Sequence, residues 1–180
     1  EKWGSAKLDI VETGTIRGDG DNYAQNDGWS TVTFAEWVKK NGGSFTSIDL
    51  DVSTAEKVLK RKKLRDHVQL VQGHSLEALA AIVQDNAIAD PDDAEQVGAL
   101  DVAFLGSDND ASLIFHEYLI VKKIMRSPGL IIVDDVDIVS TEVVKGDEIL
   151  PYARANGVPH RIVERTGEDG FRIGVLVFEV

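Results

Sequence analysis

The chain has 180 residues, of which 43% are hydrophobic and 28% are charged, a composition that predicts a single globular domain spanning residues 1–180. Its formal net charge of −12 argues against a nucleic-acid partner, because binding to a phosphate backbone depends on clustered lysine and arginine. The absence of cysteine excludes a disulfide scaffold and thiol catalysis, and is consistent with a reducing, cytoplasmic location. No apolar run reaches the roughly 18 residues of a membrane span, so no membrane partner is expected.

Apolar runs that stop at polar or glycine residues predict the first strands of a sheet buried on both faces. These runs are Leu8–Glu12, Phe45–Asp49, Val68–Gln72, Asp101–Leu105 and Leu130–Val133. Helical patterns lie between them: one from Trp29 or Ser30 to Asn41, one opened by a Ser53–Glu56 capping box, one opened by Ser75, one over Ala111–Met125 and one over Asp147–Ala155. This alternation predicts helical crossovers between parallel strands.

The end of the chain shows a different pattern. Arg161–Arg165 and Phe171–Val180 are rich in β-forming residues, and only Thr166–Gly170 separates them, which favours an antiparallel hairpin. The sequence therefore predicts a doubly wound α/β fold with a mostly parallel, seven-stranded sheet that ends in an antiparallel hairpin. Residues 19–27 are interpreted as a loop insertion, and the acidic segment 84–99 as a solvated insert.

The end of the first predicted strand carries residues suited to binding. In open α/β sheets, ligands lie beyond the carboxyl ends of the strands. Glu12 ends the strand, and a turn with Gly14, Thr15 and Gly18 follows without the G-x-G-x-x-G pattern of a dinucleotide site. A carboxylate at this place favours a ligand with a cationic group, although a simple strand–helix turn is an equal alternative.

The next two strand ends add a carboxylate and a glycine-containing turn. Asp49 ends the second strand, where it can accept the hydroxyls of a ribose, and Asp51 lies two residues further on. Gly73, His74 and Ser75 follow the third strand, at the place of an adenine edge. Each residue alone is also compatible with an ordinary turn, and the combination is more informative than its parts.

Together these motifs resemble those of class I S-adenosylmethionine (SAM)-dependent methyltransferases, and most closely the small-molecule O-methyltransferases of the catechol and macrocin types. The family's E-x-G-x-x-x-G motif matches Glu12, Gly14 and Gly18, and its G-[YF]-S-T motif is similar to Gly28–Thr31. In the family the two motifs share one glycine, so either Gly18 or Gly28 is the equivalent here. The resemblance covers nearly the whole chain.

The resemblance implies a role for each matching residue in binding SAM. Glu12, Gly14 and Thr15 would hold the methionine ammonium end, and Ser30 would meet the methionine carboxylate. The ribose would be bound by Asp49, with Asp51 assisting. The remaining cofactor residues would face the adenine: Gly73, Ser75 and His74, which replaces the Asp of the family's G-D-[AS] motif.

The resemblance also implies where catalysis occurs. Asp134 and Asp135 match the paired acids that bind Mg²⁺ in metal-dependent members, and Asp108 matches the catalytic base. Gly106 replaces a further metal ligand, which leaves metal dependence open, with Asp110 or Asp137 as possible substitutes. The alternatives are that Asp108 or Asp110 caps the helix at Ala111. Arg17 and Lys145 are expected to be surface charges, with binding of an acidic substrate as the alternative.

The predicted function is SAM-dependent methyl transfer to an oxygen of a small molecule, such as a sugar or polyketide hydroxyl, with Mg²⁺ as an optional cofactor. Three alternatives stay open: a methyltransferase-like binding module that has lost catalysis, a nucleotide-sugar or dinucleotide enzyme on a Rossmann-like sheet and, more distantly, a hydroxylase of the cephalosporin type. The identity of the small-molecule acceptor is left open. The oligomeric state is also left open, with a homo-oligomer as one option. The sequence starts at Glu1 rather than methionine, so further residues are expected before it.

Overall fold

A computed structural model describes residues 5–19, 29–89, 98–136, 144–166 and 172–180. Its seven strands form one sheet in the order β3-β2-β1-β4-β5-β7-β6. The first five strands of this order are parallel to one another, and β7 is antiparallel to both of its neighbours. The strands are β1 Leu8–Thr13, β2 Gly43–Asp49, β3 Gln69–Gln72, β4 Leu100–Leu105, β5 Met125–Val133, β6 His160–Thr166 and β7 Arg172–Glu179. The prediction of a mostly parallel sheet ending in an antiparallel hairpin is confirmed.

Five α-helices cover the two faces of this sheet within the described residues. They are α1 Ser30–Asn41, α2 Ser53–Lys62, α3 Ser75–Ala89, α4 Ala111–Val121 and α5 Gly146–Ala155, and a short 3-10 turn spans Arg65–His67. No helix among these described segments is both long and apolar enough to cross a membrane.

The alternation of side chains along each strand supplies two hydrophobic cores, one on each face of the sheet. In β1, Ile10 packs into the core formed with α1 and α2, whereas its neighbour Val11 packs into the core formed with α3, α4 and α5. Tyr118 and Phe178 are fully buried in the second core, with their ring centroids 4.7 Å apart. Burial on both faces explains why the central strands are continuous apolar runs.

Three predicted boundaries are wrong. The helix predicted over Ala111–Met125 ends at Val121, and Met125 already pairs with Leu100 as the first residue of β5. The register of β5 against β4 then shifts before the pair Val102–Leu130, so the apolar run predicted as the strand is only its second half. The predicted acidic insert begins inside α3, whose last residue is Ala89; residues 90–97 lie outside the described residues.

The capping box predicted at Ser53–Glu56 is absent from the start of α2. The helix begins at Ser53 without a side-chain cap, and Glu56 instead forms ion pairs with Lys60, at 2.8 Å, and with Arg65. The Ser53 amide is satisfied by the Asp51 carboxylate, 2.8 Å away. Of the predicted 19–27 insertion, only Asp19 is a described residue.

Candidate functional site

The carboxyl ends of the parallel strands border a crevice made of two adjoining pockets, which share Gly14, Asp49 and Ser107 in their walls. The first pocket is bordered by the loops after β1, β4 and β5 and by the start of α1; its polar lining includes Thr15, Arg17, Ser30, Thr31, Asp134, Asp135 and Lys145. The second pocket lies towards β3 and is lined by Leu50, Gly73, His74, Ser75, Asp108 and Leu113. Most of the sequence-predicted site residues therefore lie at one edge of the sheet.

Gly14 allows two strand ends to approach each other closely at the junction of the pockets. Its φ of +83° is a left-handed conformation that favours glycine, and a Cβ at this position would lie 2.6 Å from the Gly106 carbonyl oxygen. The Gly14 amide donates a hydrogen bond to the Ile48 carbonyl oxygen at 2.9 Å. The loop after β1 is consequently held between β2 and β4.

Asp49 connects this loop to the end of β2. Its Oδ2 accepts a hydrogen bond from the Thr15 amide at 2.9 Å, and its Oδ1 accepts one from the Asp51 amide at 3.1 Å. The carboxylate is half-buried and lines both pockets. A negatively charged group therefore lies at the centre of the crevice, held by backbone donors on both sides.

Glu12 lies beneath the crevice and is completely buried. Its carboxylate accepts hydrogen bonds from the hydroxyls of Ser30 at 2.5 Å, Thr31 at 2.7 Å and Ser47 at 2.7 Å. Burial raises the pKa of Glu12 to about 7, although the three hydroxyls oppose this shift. The geometry does not support the predicted direct contact of Glu12 with a ligand. Instead, Glu12 fixes the start of α1, where Ser30 and Thr31 line the first pocket.

A second buried carboxylate, Glu117 on α4, was not identified from the sequence. It accepts hydrogen bonds from Thr13 at 2.7 Å, from Ser107 at 2.6 Å and from Ser75. Burial raises the pKa of Glu117, while the three hydroxyls and the charge of Lys145 lower it by less. An acidic residue in the otherwise apolar helix ASLIFHEYLIV was the available signal.

The other predicted cofactor residues differ in their relation to the crevice. Gly73, His74 and Ser75 line the second pocket, and His74 Nδ1 also accepts a hydrogen bond from the Leu76 amide at 3.3 Å. Asp51 is exposed and does not line either of the two pockets as they are formed by the described residues.

Gly18, one of the two candidates for the motif glycine, is buried and is not part of the described lining of either pocket. Gly28 lies outside the described residues.

The predicted catalytic acids separate into two groups. Asp134 and Asp135 line the first pocket, whereas Asp108 lines the second, where its Oδ1 accepts a hydrogen bond from the Asn109 amide at 2.6 Å. Asp110 caps α4 by accepting hydrogen bonds from the amides of Ser112 and Leu113. The structure thus confirms the helix-cap alternative for Asp110.

The described residues do not fit a magnesium ion. Among the described residues, no group of three or more histidine, cysteine or acidic side chains is arranged to hold a metal ion. Asp108 lies in the other pocket, Gly106 offers no side chain, and the Lys145 ammonium lies 3.6 Å from Asp135 Oδ2. Asp137, the remaining candidate, lies outside the described residues.

Lys145 is also a correction to the sequence analysis, which placed it on the surface. Its side chain is only 3% exposed and lines the first pocket. Arg17, by contrast, is exposed as expected and lines the same pocket.

A family model described as a methyltransferase domain matches residues 25–136 of the chain. No curated protein matches the chain by sequence. Within the fold comparisons, an O-methyltransferase from Bacillus cereus in complex with S-adenosylhomocysteine (SAH) is similar, with a TM-score of 0.65, 19% identity and coverage of 96% of this chain and 74% of that one.

Two Streptomyces enzymes are also similar in fold. The O-methyltransferase TomG from Streptomyces achromogenes, which is involved in tomaymycin synthesis and was solved with SAM, has a TM-score of 0.65 at 18% identity, covering 96% of this chain and 73% of that one. A geranyl diphosphate C-methyltransferase from Streptomyces coelicolor A3(2), solved with Mg²⁺, geranyl-S-thiolodiphosphate and SAH, has a TM-score of 0.58 at 15% identity, covering 98% and 71%. At these identities the likeness establishes the shared fold alone.

Proposed function

The chain belongs to the methyltransferase domain family, and from this premise we propose that it transfers a methyl group from SAM to an oxygen of a small molecule. The observation that carries the proposal is the position of Asp49. Its carboxylate lies where the two pockets join, between the loop after β1 and the end of β2. A ligand that fills both pockets therefore passes this charge, and the hydroxyls of a ribose are suited to it.

The chemistry of the crevice also fits the other two parts of SAM, the methionine end and the adenine. The methionine end suits the first pocket, where Ser30 and Thr31 line the wall at the start of α1 and a helix N-terminus favours a carboxylate. The buried indole Nε1 of Trp29, in the same wall, has no hydrogen-bond partner among the described residues and adds a donor there. The adenine suits the second pocket, where Leu50 offers an apolar surface that is 69% exposed.

When bound, SAM supplies a methyl group on a sulfonium, which a nucleophilic oxygen can displace. The protein's contribution is then mainly to position donor and acceptor, and fixed geometry is worth several kcal/mol in such reactions, about 7 or more in favourable cases. The buried carboxylates support this role, because Glu12 holds the start of α1 and Glu117 holds the ends of β1 and β4. Asp134 and Asp135, which follow β5, and Lys145, which precedes α5, add polar groups to the wall of the first pocket, where the acceptor would bind.

Calorimetric titration with SAH tests the proposal through Asp49 and its neighbour Asp51. We expect Asp49→Asn to weaken SAH binding at least tenfold, because the amide removes the charge and places its NH2 group against one of the two backbone amides, Thr15 or Asp51, that the carboxylate accepts from. Asp51→Asn is the matched control, since Asp51 is exposed and its carboxylate accepts a hydrogen bond from the Ser53 amide. The SAH affinity of this variant is expected to stay within twofold of the native value.

Titration with NAD in parallel tests the dinucleotide alternative, and release of a methylated product from hydroxylated acceptors tests the alternative of a binding module. If the native protein binds NAD but not SAH, the proposal is wrong. If it binds SAH but the Asp49 and Asp51 variants behave alike, the binding mode described for Asp49 is wrong.

A further inference from the structure

Lys145 occupies an unusual position for a lysine. It precedes α5 at the N-terminal end of the helix, where the helix dipole disfavours a positive charge, and its side chain is 3% exposed. Burial of an ammonium is costly unless it is paired. Two unfavourable factors therefore act on one residue, which indicates that its charge is needed where it lies.

The backbone around Lys145 is closely packed against the end of β5. The adjacent Gly146 lies so near Val136 that a Cβ on it would be 2.3 Å from the Val136 carbonyl oxygen. Asp135, at the end of the same strand, has a left-handed backbone with φ of 54°. This packing positions the Lys145 ammonium in the wall of the first pocket rather than in solvent.

Acidic groups lie on more than one element near this ammonium. Asp135 forms an ion pair with it, with 3.6 Å between Nζ and Oδ2, a distance that exceeds a normal hydrogen bond. The Lys145 charge also acts on Glu117 of α4, and Asp134 lies in the same pocket wall. Among the described residues of this wall, the other positive charge belongs to Arg17, whose side chain is exposed. An ammonium has three donors, so it can pair with Asp135 and bind a ligand oxygen at once.

We propose that the Lys145 ammonium binds the ionised oxygen of the acceptor. It would supply there the positive charge that a metal ion supplies in metal-dependent enzymes. The acceptor class is therefore a compound whose hydroxyl ionises far more readily than that of an alcohol, an electron-poor phenol or an enol, rather than a sugar. This inference rests on the proposed function. In the transfer, the oxygen–methyl bond forms as the sulfur–methyl bond breaks, the electron pair stays on sulfur, and the acceptor proton has already passed to solvent.

Binding of 4-nitrophenol to the SAH-loaded protein tests this inference without turnover, because its ionised form has its own absorption band. In metal-free buffer with EDTA, we expect the native protein to bind the ionised form preferentially. Lys145→Met should weaken that binding at least tenfold and abolish the preference, whereas Lys145→Arg should keep the preference. Lys123→Met, which removes an exposed lysine outside the crevice, is the matched control and should bind like the native protein.

SAH titration of each variant shows whether its fold and cofactor site are intact. If Lys145→Met does not fold, the double variant Lys145→Met with Asp135→Asn, which leaves no unpaired charge from this ion pair, is expected to show the same loss. The inference is overturned if the variant without Lys145 binds ionised 4-nitrophenol as well as the native protein does. It is also overturned if the native protein shows no preference for that form, or if the preference requires added Mg²⁺. Failure of the native protein to bind SAH would instead overturn the proposed function, and this inference with it.

Discussion

Glu12 and Glu117 are buried carboxylates that are solvated mainly by hydroxyl groups. Each accepts hydrogen bonds from three serine or threonine side chains, and each group of three comes from more than one element of the fold. A hydroxyl can donate to a carboxylate and can also accept from a carboxylic acid. Such a cluster can therefore hold the site together in either protonation state of the carboxyl group. Its contribution to the free energy of unfolding, however, depends on pH.

Glu12 should make the stability of the protein fall as pH rises from about 4.5 to about 7. Burial raises its folded-state pKa from 4.5 to about 7, so the folded state binds the proton more tightly than the unfolded chain over this interval. The stabilising contribution is complete below pH 4.5 and is lost through pH 7, and it amounts to about 3 kcal/mol.

Urea unfolding of the native protein and of Glu12→Gln at pH 5 and at pH 8 measures this contribution. We expect the variant to gain about 2–3 kcal/mol relative to the native protein between these pH values, because glutamine does not titrate and the hydroxyls can rotate to accept from its amide. Other titrating groups are common to both proteins and cancel in the difference. Parallel pH profiles for the two proteins would show that Glu12 is not the group responsible.

The elements of the fold meet most closely at Gly14, between the end of β1 and the loop after β4. Gly14→Ala should destabilise the protein by about 2–4 kcal/mol, since the new Cβ would lie 2.6 Å from the Gly106 carbonyl oxygen and φ is +83°. Chemical denaturation measures the effect. Gly73→Ala is the matched control: apart from Gly73 and its two chain neighbours, no heavy atom of the described residues lies within 4 Å of its Cβ position, and a change below about 1 kcal/mol is expected. Equal losses in both variants would contradict the close-approach explanation.

The central strands could be predicted because burial on both faces leaves a continuous apolar run in the sequence, as in β1 and β4. The same signal failed between α4 and β5. Ile124 and Met125 extend the apolar pattern of the helix, although the helix has ended at Val121, and the bulged first half of β5 contains Pro128 and Gly129, which are typical of a turn. The boundary there is decided by pairing with β4, which is a tertiary interaction.

The candidate site shows the same division. Asp49 and Gly14 could be identified because a parallel sheet brings the ends of its strands to one edge, so local sequence is sufficient. The burial of Glu117 and Lys145 beside the crevice could not be predicted, since they lie in or next to helices whose approach to the crevice depends on packing across the sheet. Direct contact by Glu12 was predicted from its place on the strand, but the hydroxyls that enclose it come from α1 and β2.

Across the whole molecule, 31 acidic residues against 19 basic ones give a negative field that attracts a cationic ligand such as the proposed sulfonium. The charges are also divided between the two edges of the sheet. The edge opposite the crevice carries Arg126, whose Nη1 lies 2.8 Å from carboxylate oxygens of both Asp9 on β1 and Asp101 on β4. This cluster ties together the starts of the two strands whose ends form the crevice.

Substitutions at this opposite edge should lower the stability of the protein without changing its affinity for SAH. Arg126→Met leaves two acids beside each other without their shared partner, and we expect a loss of about 1–3 kcal/mol, moderated because the arginine is 40% exposed. SAH affinity should stay within twofold, since the length of β1, roughly 15 Å, separates the two edges. Combining Arg126→Met with Asp49→Asn should then give additive changes in unfolding free energy and the SAH affinity of Asp49→Asn alone. A further loss of affinity in the double variant would show that the sheet couples its two edges, and that the geometry of the crevice depends on how its strands begin.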